Sequence, residues 1–104
     1  MDAQLRRGLL DVLVLSAIKN EDSYGYKIIK DLKPVIELSE STLYTILKRL
    51  IDDRMVAVYS IEFEGRLRKY YSITDRGRQR ISDFKNEWKE LMKVYSFISE
   101  DNKL

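Results

Sequence analysis

Hydroxyl groups and cations recur at helical spacing within the segment Ser39–Arg54, SESTLYTILKRLIDDR. At helical periodicity they fall on the side opposite an apolar stripe. The polar side and its edges carry Ser41, Tyr44, Thr45, Lys48 and Arg49. Such side chains are suited to phosphate oxygens and to base edges in a major groove. An ordinary solvated surface helix is the alternative interpretation.

A second cationic cluster lies in the segment RLRKYY, directly after Gly65. It contains Arg66, Arg68, Lys69 and Tyr70. The runs on either side of this glycine are β-branched and aromatic, which predicts a hairpin whose tip leaves the core. We therefore expect the three cations to be in solvent, where they would form a phosphate clamp. A solvated β-turn with incidental charge is the alternative.

Other kinds of site are disfavoured by what the sequence lacks. It contains no Cys and no His, so thiolate metal sites and the common nucleophile–base pairs cannot be built. The four glycines are scattered singly, at positions 8, 25, 65 and 77, so there is no glycine-rich phosphate loop. We therefore expect no enzyme activity, no metal site and no cofactor.

Length and composition indicate one small, folded, highly helical chain. It has 104 residues, of which 44% are hydrophobic and 35% charged. No run approaches the ~20 apolar residues of a membrane span, and the N-terminus lacks the pattern of a signal peptide. The cytoplasm is therefore the expected location. A net charge of +2 says little about partners, so the positions of the cations matter more.

Residues 4–19, QLRRGLLDVLVLSAIK, predict a first helix that is apolar on two sides. One stripe contains Leu5, Leu9, Val12, Leu13 and Ser16, and the other contains Leu10, Val14, Ala17 and Ile18. In so small a chain we expect one side to face a second subunit. A helix at the centre of its own domain is the alternative.

Two further helices and a hairpin follow. Ser23 is the expected N-cap of a helix over residues 24–33, which Pro34 ends. Residues 35–38 are expected to be an extended connector with one or two residues of edge strand, and Ser39 is the expected N-cap of the third helix. This order predicts a helix-turn-helix. Strands at 55–63 and 67–73, joined by a turn at 64–66, complete it.

The last helix is expected over residues 74–102, with a polar, frayed tail at 100–104. Its apolar residues form a heptad seam of Ile81, Phe84, Trp88, Leu91, Tyr95 and Ile98. A helix this long cannot bury such a seam wholly against its own core, so we expect a homodimer through this helix and through Leu5, Leu9 and Val12. The chain thus divides into a DNA-binding domain, residues 1–73, and a dimerisation helix, residues 74–104.

Three segments carry a family likeness: SYGYKIIKDL, SESTLYTILKRL and RLRKYYSITDRG. In this order and spacing they resemble the hallmark segments of the PadR-like transcriptional regulators. The short C-terminal part is similar to that family's short subfamily. The resemblance implies a mainly α fold with a small β-hairpin, a winged helix-turn-helix followed by a long C-terminal dimerisation helix. It also implies a homodimer that represses transcription by binding inverted repeats in double-stranded DNA.

The resemblance also implies roles for individual residues. Ser41, Thr42, Tyr44 and Lys48 match recognition-helix positions, and Arg66, Arg68, Lys69 and Tyr70 match the wing. Short members often bind a planar or cationic small molecule in a pore between the last helices, where a tryptophan stacks on it. Here that pore would be lined by Leu5, Gly8, Leu9, Val12, Trp88, Met92 and Tyr95. Trp88 in a heptad seam could equally be interface core.

The sequence departs from the family pattern at three places. Arg54 stands where a glycine usually ends the recognition helix, so the cap there must be strained or different. Thr45 replaces a frequent proline, which costs nothing structurally. The wing tip is short, so we expect it to hold phosphates without deep entry into the minor groove. A winged-helix protein-interaction adaptor that does not bind DNA is the alternative function.

Overall fold

The computed structural model of the chain describes residues 1–100. The predicted tail and the end of the predicted last helix, from residue 101 onward, lie outside the described residues. The elements, in order, are α1 (Ala3–Ala17), α2 (Gly25–Leu32), α3 (Glu40–Asp52), β1 (Val56–Phe63), β2 (Arg66–Ile73) and α4 (Asp75–Ser99). The prediction of a mainly α fold with one small hairpin is confirmed.

The hydrophobic core lies between α1, α2, α3 and the base of the hairpin. Its most buried side chains, each at most 1% exposed, are Val14, Leu15, Ile18, Ile28, Leu43, Leu47 and Leu50. Val56 and Tyr71 close this core from the side of the sheet. Burial of apolar area, at about 25 cal/mol per Å², holds the helices together and leaves the polar side of α3 outward.

Ser23 does not cap α2, contrary to the sequence prediction. Tyr24 occupies the N-cap position and makes no side-chain cap bond. Ser23 instead exchanges two backbone hydrogen bonds with Tyr71, at 3.1 and 2.7 Å, and is buried. It therefore adds a one-residue bridge to the edge of β2. The edge strand expected at residues 35–38 is wrong, because that segment forms no strand.

The wing is tighter than the sequence predicted. β1 and β2 pair antiparallel with Phe63 opposite Arg66, so the loop consists only of Glu64 and Gly65. Both loop residues have positive φ, 51° and 77°, which is the geometry of a type I′ turn. Arg66 consequently belongs to β2 and not to the turn.

α4 leaves the core after its first turns. Thr74 caps it, accepting from the Gly77 N–H at 3.1 Å as the sequence predicted. Gly77 lies against the Met55 carbonyl, with no room for a Cβ, which fixes the start of the helix on the core. Ile81 still packs on that core, whereas from Lys85 onward the side chains of α4 are exposed in the single chain. The chain is elongated as a result, with a long axis of 70 Å.

Candidate nucleic-acid interface

α3 is amphipathic, as its sequence predicted. Leu43, Ile46, Leu47 and Leu50 are 0–2% exposed and pack on the core. Ser39 caps the helix by accepting from the Thr42 N–H at 3.1 Å. The opposite side of the helix is therefore held outward by a buried stripe and a fixed first turn.

The polar side of α3 presents hydroxyls and one exposed cation. The Lys48 side chain is 80% exposed, and its ammonium lies 3.5 Å from an Asp52 carboxylate oxygen. Thr45 uses its hydroxyl proton on the Ser41 carbonyl at 2.9 Å, so its oxygen can only accept a further bond. Thr42 accepts from the Ser39 hydroxyl at 2.9 Å. The Thr42 hydroxyl proton and the Lys48 ammonium are thus available as donors on this side, and the Ser41 hydroxyl lies 3.4 Å from the Ser39 oxygen.

Arg49, one of the predicted DNA-binding residues, has an ion-pair partner within the chain. Its guanidinium forms an ion pair with Asp11 of α1. The two side chains are only 21% and 17% exposed, so the contact is partly shielded from water. The Arg49 Nε atom is buried and has no partner among the described residues. Arg49 therefore connects α3 to α1.

Tyr44 lies on the other flank of α3 and packs over the start of α2. A Cβ on Gly25 would fall 2.6 Å from the Tyr44 hydroxyl oxygen, so a side chain there would displace the Tyr44 ring. Tyr44 is still 47% exposed. It lines a groove of about 870 Å³ together with Leu67, Arg68 and Lys69 of the wing. α3 and the wing therefore share one concave surface.

The three wing cations differ in their surroundings, which corrects the expectation that all lie freely in solvent. Arg66 and Lys69 are exposed. Arg68 is half-buried, with its guanidinium carbon 4.2 Å from the ring centre of Tyr24 and 4.3 Å from that of Phe63. Cation–π contacts of this kind fix the guanidinium in place. Arg68 therefore also anchors the wing on α2.

Tyr70 belongs to an aromatic stack behind the wing. Its ring lies parallel to Tyr59 at 5.9 Å and edge-on to Tyr24 at 5.6 Å. Tyr59 in turn donates a hydrogen bond to Asp22, and this bond raises the pKa of the Tyr59 hydroxyl. Burial raises the pKa of the Tyr71 hydroxyl as well, because a buried phenolate is disfavoured. The wing is thereby held at a fixed angle to α2.

The predicted seam of α4 is exposed over most of its length. Trp88, Leu91, Met92, Tyr95 and Ile98 are 43–73% exposed, and Leu5 of α1 is 43% exposed. Phe84 stacks on Trp88 at 5.9 Å, and the two line an open pocket of about 500 Å³ with Leu9. Val12 and Ile81 are exceptions, because both are already covered within the chain and leave little area for a partner.

Several residues of these surfaces were not singled out from the sequence. Lys85 and Lys89 border the Trp88 pocket. Arg6 and Arg7 line a groove against α3. Gly8, which was expected in the ligand pore, lies beside the side chain of Arg80. A Cβ built on Gly8 would be 3.5 Å from a guanidinium nitrogen of Arg80. Two adjacent arginines in an otherwise apolar helix were the signal that the sequence offered for the groove against α3.

Two negative findings apply to residues 1–100. None of the helices there is both long and apolar enough to cross a bilayer. That same part of the chain contains no group of three or more His, Cys, Asp or Glu side chains that could hold a metal ion.

The arrangement defines a class of protein: a winged helix-turn-helix, with α3 in the position of the recognition helix and β1–β2 as the wing. A family model described as the transcriptional regulator PadR-like family matches residues 14–83. The chain belongs to this family. The resemblance carried by the three sequence segments is thereby confirmed.

Individual proteins are similar to this chain. A PadR family transcription regulator from Clostridium difficile has 32% sequence identity and a TM-score of 0.78, covering 86% of this chain and 97% of that chain. An uncharacterised protein of Lysinibacillus sphaericus is 32% identical over 99 residues, 90% of this chain and 91% of that protein. PadR of Bacillus subtilis, solved in complex with operator DNA, has 25% identity and a TM-score of 0.67, covering 73% of this chain and 46% of that one.

Proposed function

We propose that the chain is a DNA-binding transcriptional regulator, a repressor that binds an inverted-repeat operator as a cytoplasmic homodimer. The observation that carries the proposal is the shared surface of α3 and the wing. Tyr44 of α3 and Lys69 of the wing line the same groove, with the exposed Lys48 on the adjoining polar side of α3. A helix in the major groove with a cationic hairpin beside it is how winged helix-turn-helix proteins bind DNA.

The polar residues divide between base edges and phosphates. Ser41, Thr45 and Tyr44 lie where a helix in the major groove reaches base edges or the nearest phosphates. Lys48, Arg66 and Lys69 are exposed cations suited to phosphates. Arg68 reaches the DNA only with the part of its guanidinium that its two aromatic neighbours leave uncovered. Thr42 and Tyr70 contribute mainly by holding the first turn of α3 and the wing in place.

The homodimer is supported by the apolar surface of α1 and α4. Leu5, Leu9, Phe84, Trp88, Leu91, Tyr95 and Ile98 form a stripe too extended for a single chain to cover. A second copy offers the same stripe, and a two-fold axis would bring the two together. The same axis would place two copies of α3 about 34 Å apart, one turn of DNA. An inverted repeat matches that symmetry.

A planar effector is a further part of this proposal. The pocket beside Trp88 is mainly apolar and open, and Met92 and Tyr95 are exposed apolar side chains further along α4. The ammonium groups of Lys85 and Lys89 at its border favour a neutral or anionic ring over a cationic one. A ligand in this pocket would release DNA only if it binds more tightly to a dimer conformation in which the two α3 helices are wrongly spaced for the operator. Filling of the pocket by the partner's side chains is the competing outcome.

The decisive experiment is selection of bound sequences from a random pool of DNA duplexes. We expect recovery of an inverted repeat whose half-sites lie one helical turn apart, bound by a dimer. If no sequence is enriched and the amount of DNA retained by the protein does not depend on salt, DNA binding is contradicted and the protein-interaction adaptor is favoured. Recovery of a single asymmetric site would contradict the symmetric dimer alone.

A further inference from the structure

A second cationic groove runs along the side of α3 that faces away from the wing. It has a volume of about 340 Å³ and lies between the N-terminal half of α1 and the polar side of α3. Arg6 and Arg7 line it from α1, and Ser41, Thr45 and Arg49 line it from α3. None of these residues except Arg49 contacts a charged group elsewhere in residues 1–100.

The charge of this groove comes from α1. Arg49 is neutralised by Asp11, so it serves as a fixed wall. Asp2, which precedes α1, is its N-cap and accepts from the Gln4 and Leu5 N–H groups at 3.1 Å. Arg6 and Arg7 are exposed and have no ion-pair partner in the described part of the chain. Two positive charges without an ion-pair partner among residues 1–100 therefore line an open, hydroxyl-containing groove.

The position of the groove relative to the wing determines what can occupy it. At about 100° per residue around a helix, Tyr44 projects on one side of Ser41 and Arg49 on the other. The wing groove contains Tyr44, and the second groove contains Arg49. The two cationic surfaces thus flank α3 on opposite sides. A helix in the major groove lies between two phosphate backbones, so each flank would meet one of them.

We propose that this α1–α3 groove is a phosphate-binding site for the DNA backbone opposite the wing, with Arg6 and Arg7 as its cationic ligands and Ser41 as a hydroxyl donor. The inference rests on the proposed DNA binding and adds α1 to the interface. It makes α1 a helix with two roles, because its apolar stripe faces the dimer axis while its N-terminal arginines face the duplex.

The test compares salt dependence in two double variants. Arg6→Gln/Arg7→Gln removes both charges while keeping polar side chains of similar reach. Lys19→Gln/Lys93→Gln removes the same charge directly after the C-cap of α1 and on α4. Binding to a duplex carrying the selected inverted repeat is titrated at several salt concentrations from about 50 to about 200 mM.

We expect the Arg6/Arg7 variant to flatten the log–log salt slope by about 0.9 for each phosphate that is no longer neutralised, or about 3.6 for the four arginines replaced in a dimer. Across that salt range its affinity would then fall about a hundredfold less than that of the unchanged protein. The Lys19/Lys93 variant keeps the original slope. An Arg6→Lys/Arg7→Lys variant retains most of it, because the charge is kept.

Two results would overturn the inference. The first is an unchanged slope in the Arg6/Arg7 variant, whatever its affinity, because the arginines would then act on structure only. The second is equal flattening in both variants, because total charge would then be the cause. Thermal melting followed by circular dichroism shows whether each variant folds. If a double variant does not fold, its two single substitutions are measured instead, and each is expected to have half the effect on the slope. If the unchanged protein does not bind DNA, the proposed function itself fails.

Discussion

Arg54 adopts a left-handed backbone conformation, with φ at 63°, immediately after the C-cap of α3. The Arg54 N–H donates to the Ile51 carbonyl and the Met55 N–H to the Leu50 carbonyl, both at 2.9 Å. This is the hydrogen-bond pattern of a Schellman motif, in which glycine usually takes the left-handed position. The sequence predicted a strained or different cap at this residue, and the structure has the usual motif with arginine in the place of glycine. Thr74 fixes the arrangement by donating to the Arg54 carbonyl at 2.7 Å.

Replacing Arg54 with glycine is expected to stabilise the protein. The left-handed conformation costs a residue with a Cβ roughly 1–2 kcal/mol, and glycine avoids this cost. Glycine in turn costs about 0.5–1 kcal/mol of stability, because its unfolded chain has more conformational freedom to lose on folding. Arg54→Gly should therefore raise the free energy of unfolding by about 0.5–1 kcal/mol, measured by urea denaturation. Asp53→Gly is the control, since its φ of −85° suits any residue and glycine there should lower stability. A lower midpoint for Arg54→Gly would show that the left-handed arginine is not strained.

Residues that act through local pattern were predictable from the sequence, and residues that act through long-range contacts were not. The buried stripe of α3 and the cap at Ser39 follow from spacing within a few residues. The pairing of Ser23 with Tyr71 and the pairing of Asp11 with Arg49 join residues 48 and 38 positions apart, which no local period encodes. Arg68 was assigned to solvent for the same reason, because its cover comes from Tyr24 on another element.

At the scale of elements, the ion pair between Asp11 and Arg49 connects the helix that carries the proposed dimer surface to the helix that carries the proposed reading surface. α1 and α3 otherwise touch through apolar side chains, which tolerate small rotations of one helix on the other. A directional contact between a carboxylate and a guanidinium restricts that rotation. The pair therefore sets the angle at which α3 is presented.

Breaking this pair should separate positioning from phosphate binding. Asp11→Asn should lower the free energy of unfolding by about 1–3 kcal/mol, because it leaves a partly buried guanidinium without its anion. Arg49→Gln should weaken DNA binding without changing the salt slope, if Arg49 acts through α1. Lys48→Ala is the matched control on the same helix and should flatten the slope by about one unit per bound protomer.

The outcome for Arg49 is decided by that comparison. Flattening by Arg49→Gln equal to that of Lys48→Ala would mean that Arg49 contacts phosphate in the complex and gives up its partner. A double-mutant cycle on Asp11 and Arg49 provides a second measurement. A coupling energy near zero in urea denaturation would contradict the structural role of the pair.

At the scale of the whole molecule, the long axis of 70 Å reflects α4, most of which extends away from the core. A single 104-residue chain would normally cover its large apolar side chains, yet Trp88, Leu91, Tyr95 and Ile98 remain 44–73% exposed along one helix. The proposed dimer accounts for this exposure. In that dimer the covering surface is the same helix of a second copy, and this contact also sets the distance between the two reading helices.

Charge in the seam is accordingly expected to separate the protomers. Leu91→Glu would place a carboxylate from each chain near the two-fold axis, and burying an unpaired charge costs several kcal/mol, enough to raise the dimer dissociation constant at least about a hundredfold. Light scattering at several concentrations should then give the mass of a single chain, 12.4 kDa, where the unchanged protein gives twice that value. Glu90→Gln, one residue away and outside the predicted seam, is the control and should stay dimeric.

The same substitution tests whether DNA binding needs both chains at once. Leu91 lies in the second half of α4, outside the surface that Tyr44 and Lys69 form. Leu91→Glu therefore leaves the DNA-binding surface of each chain intact. Two linked DNA-binding surfaces bind an inverted repeat far more tightly than one, because the second binding step becomes intramolecular. The monomeric variant should therefore lose at least about a hundredfold in affinity for the full repeat while binding an isolated half-site as the unchanged protein does. A Leu91→Glu protein that is monomeric and yet binds the full repeat normally would show that each chain reads the operator alone.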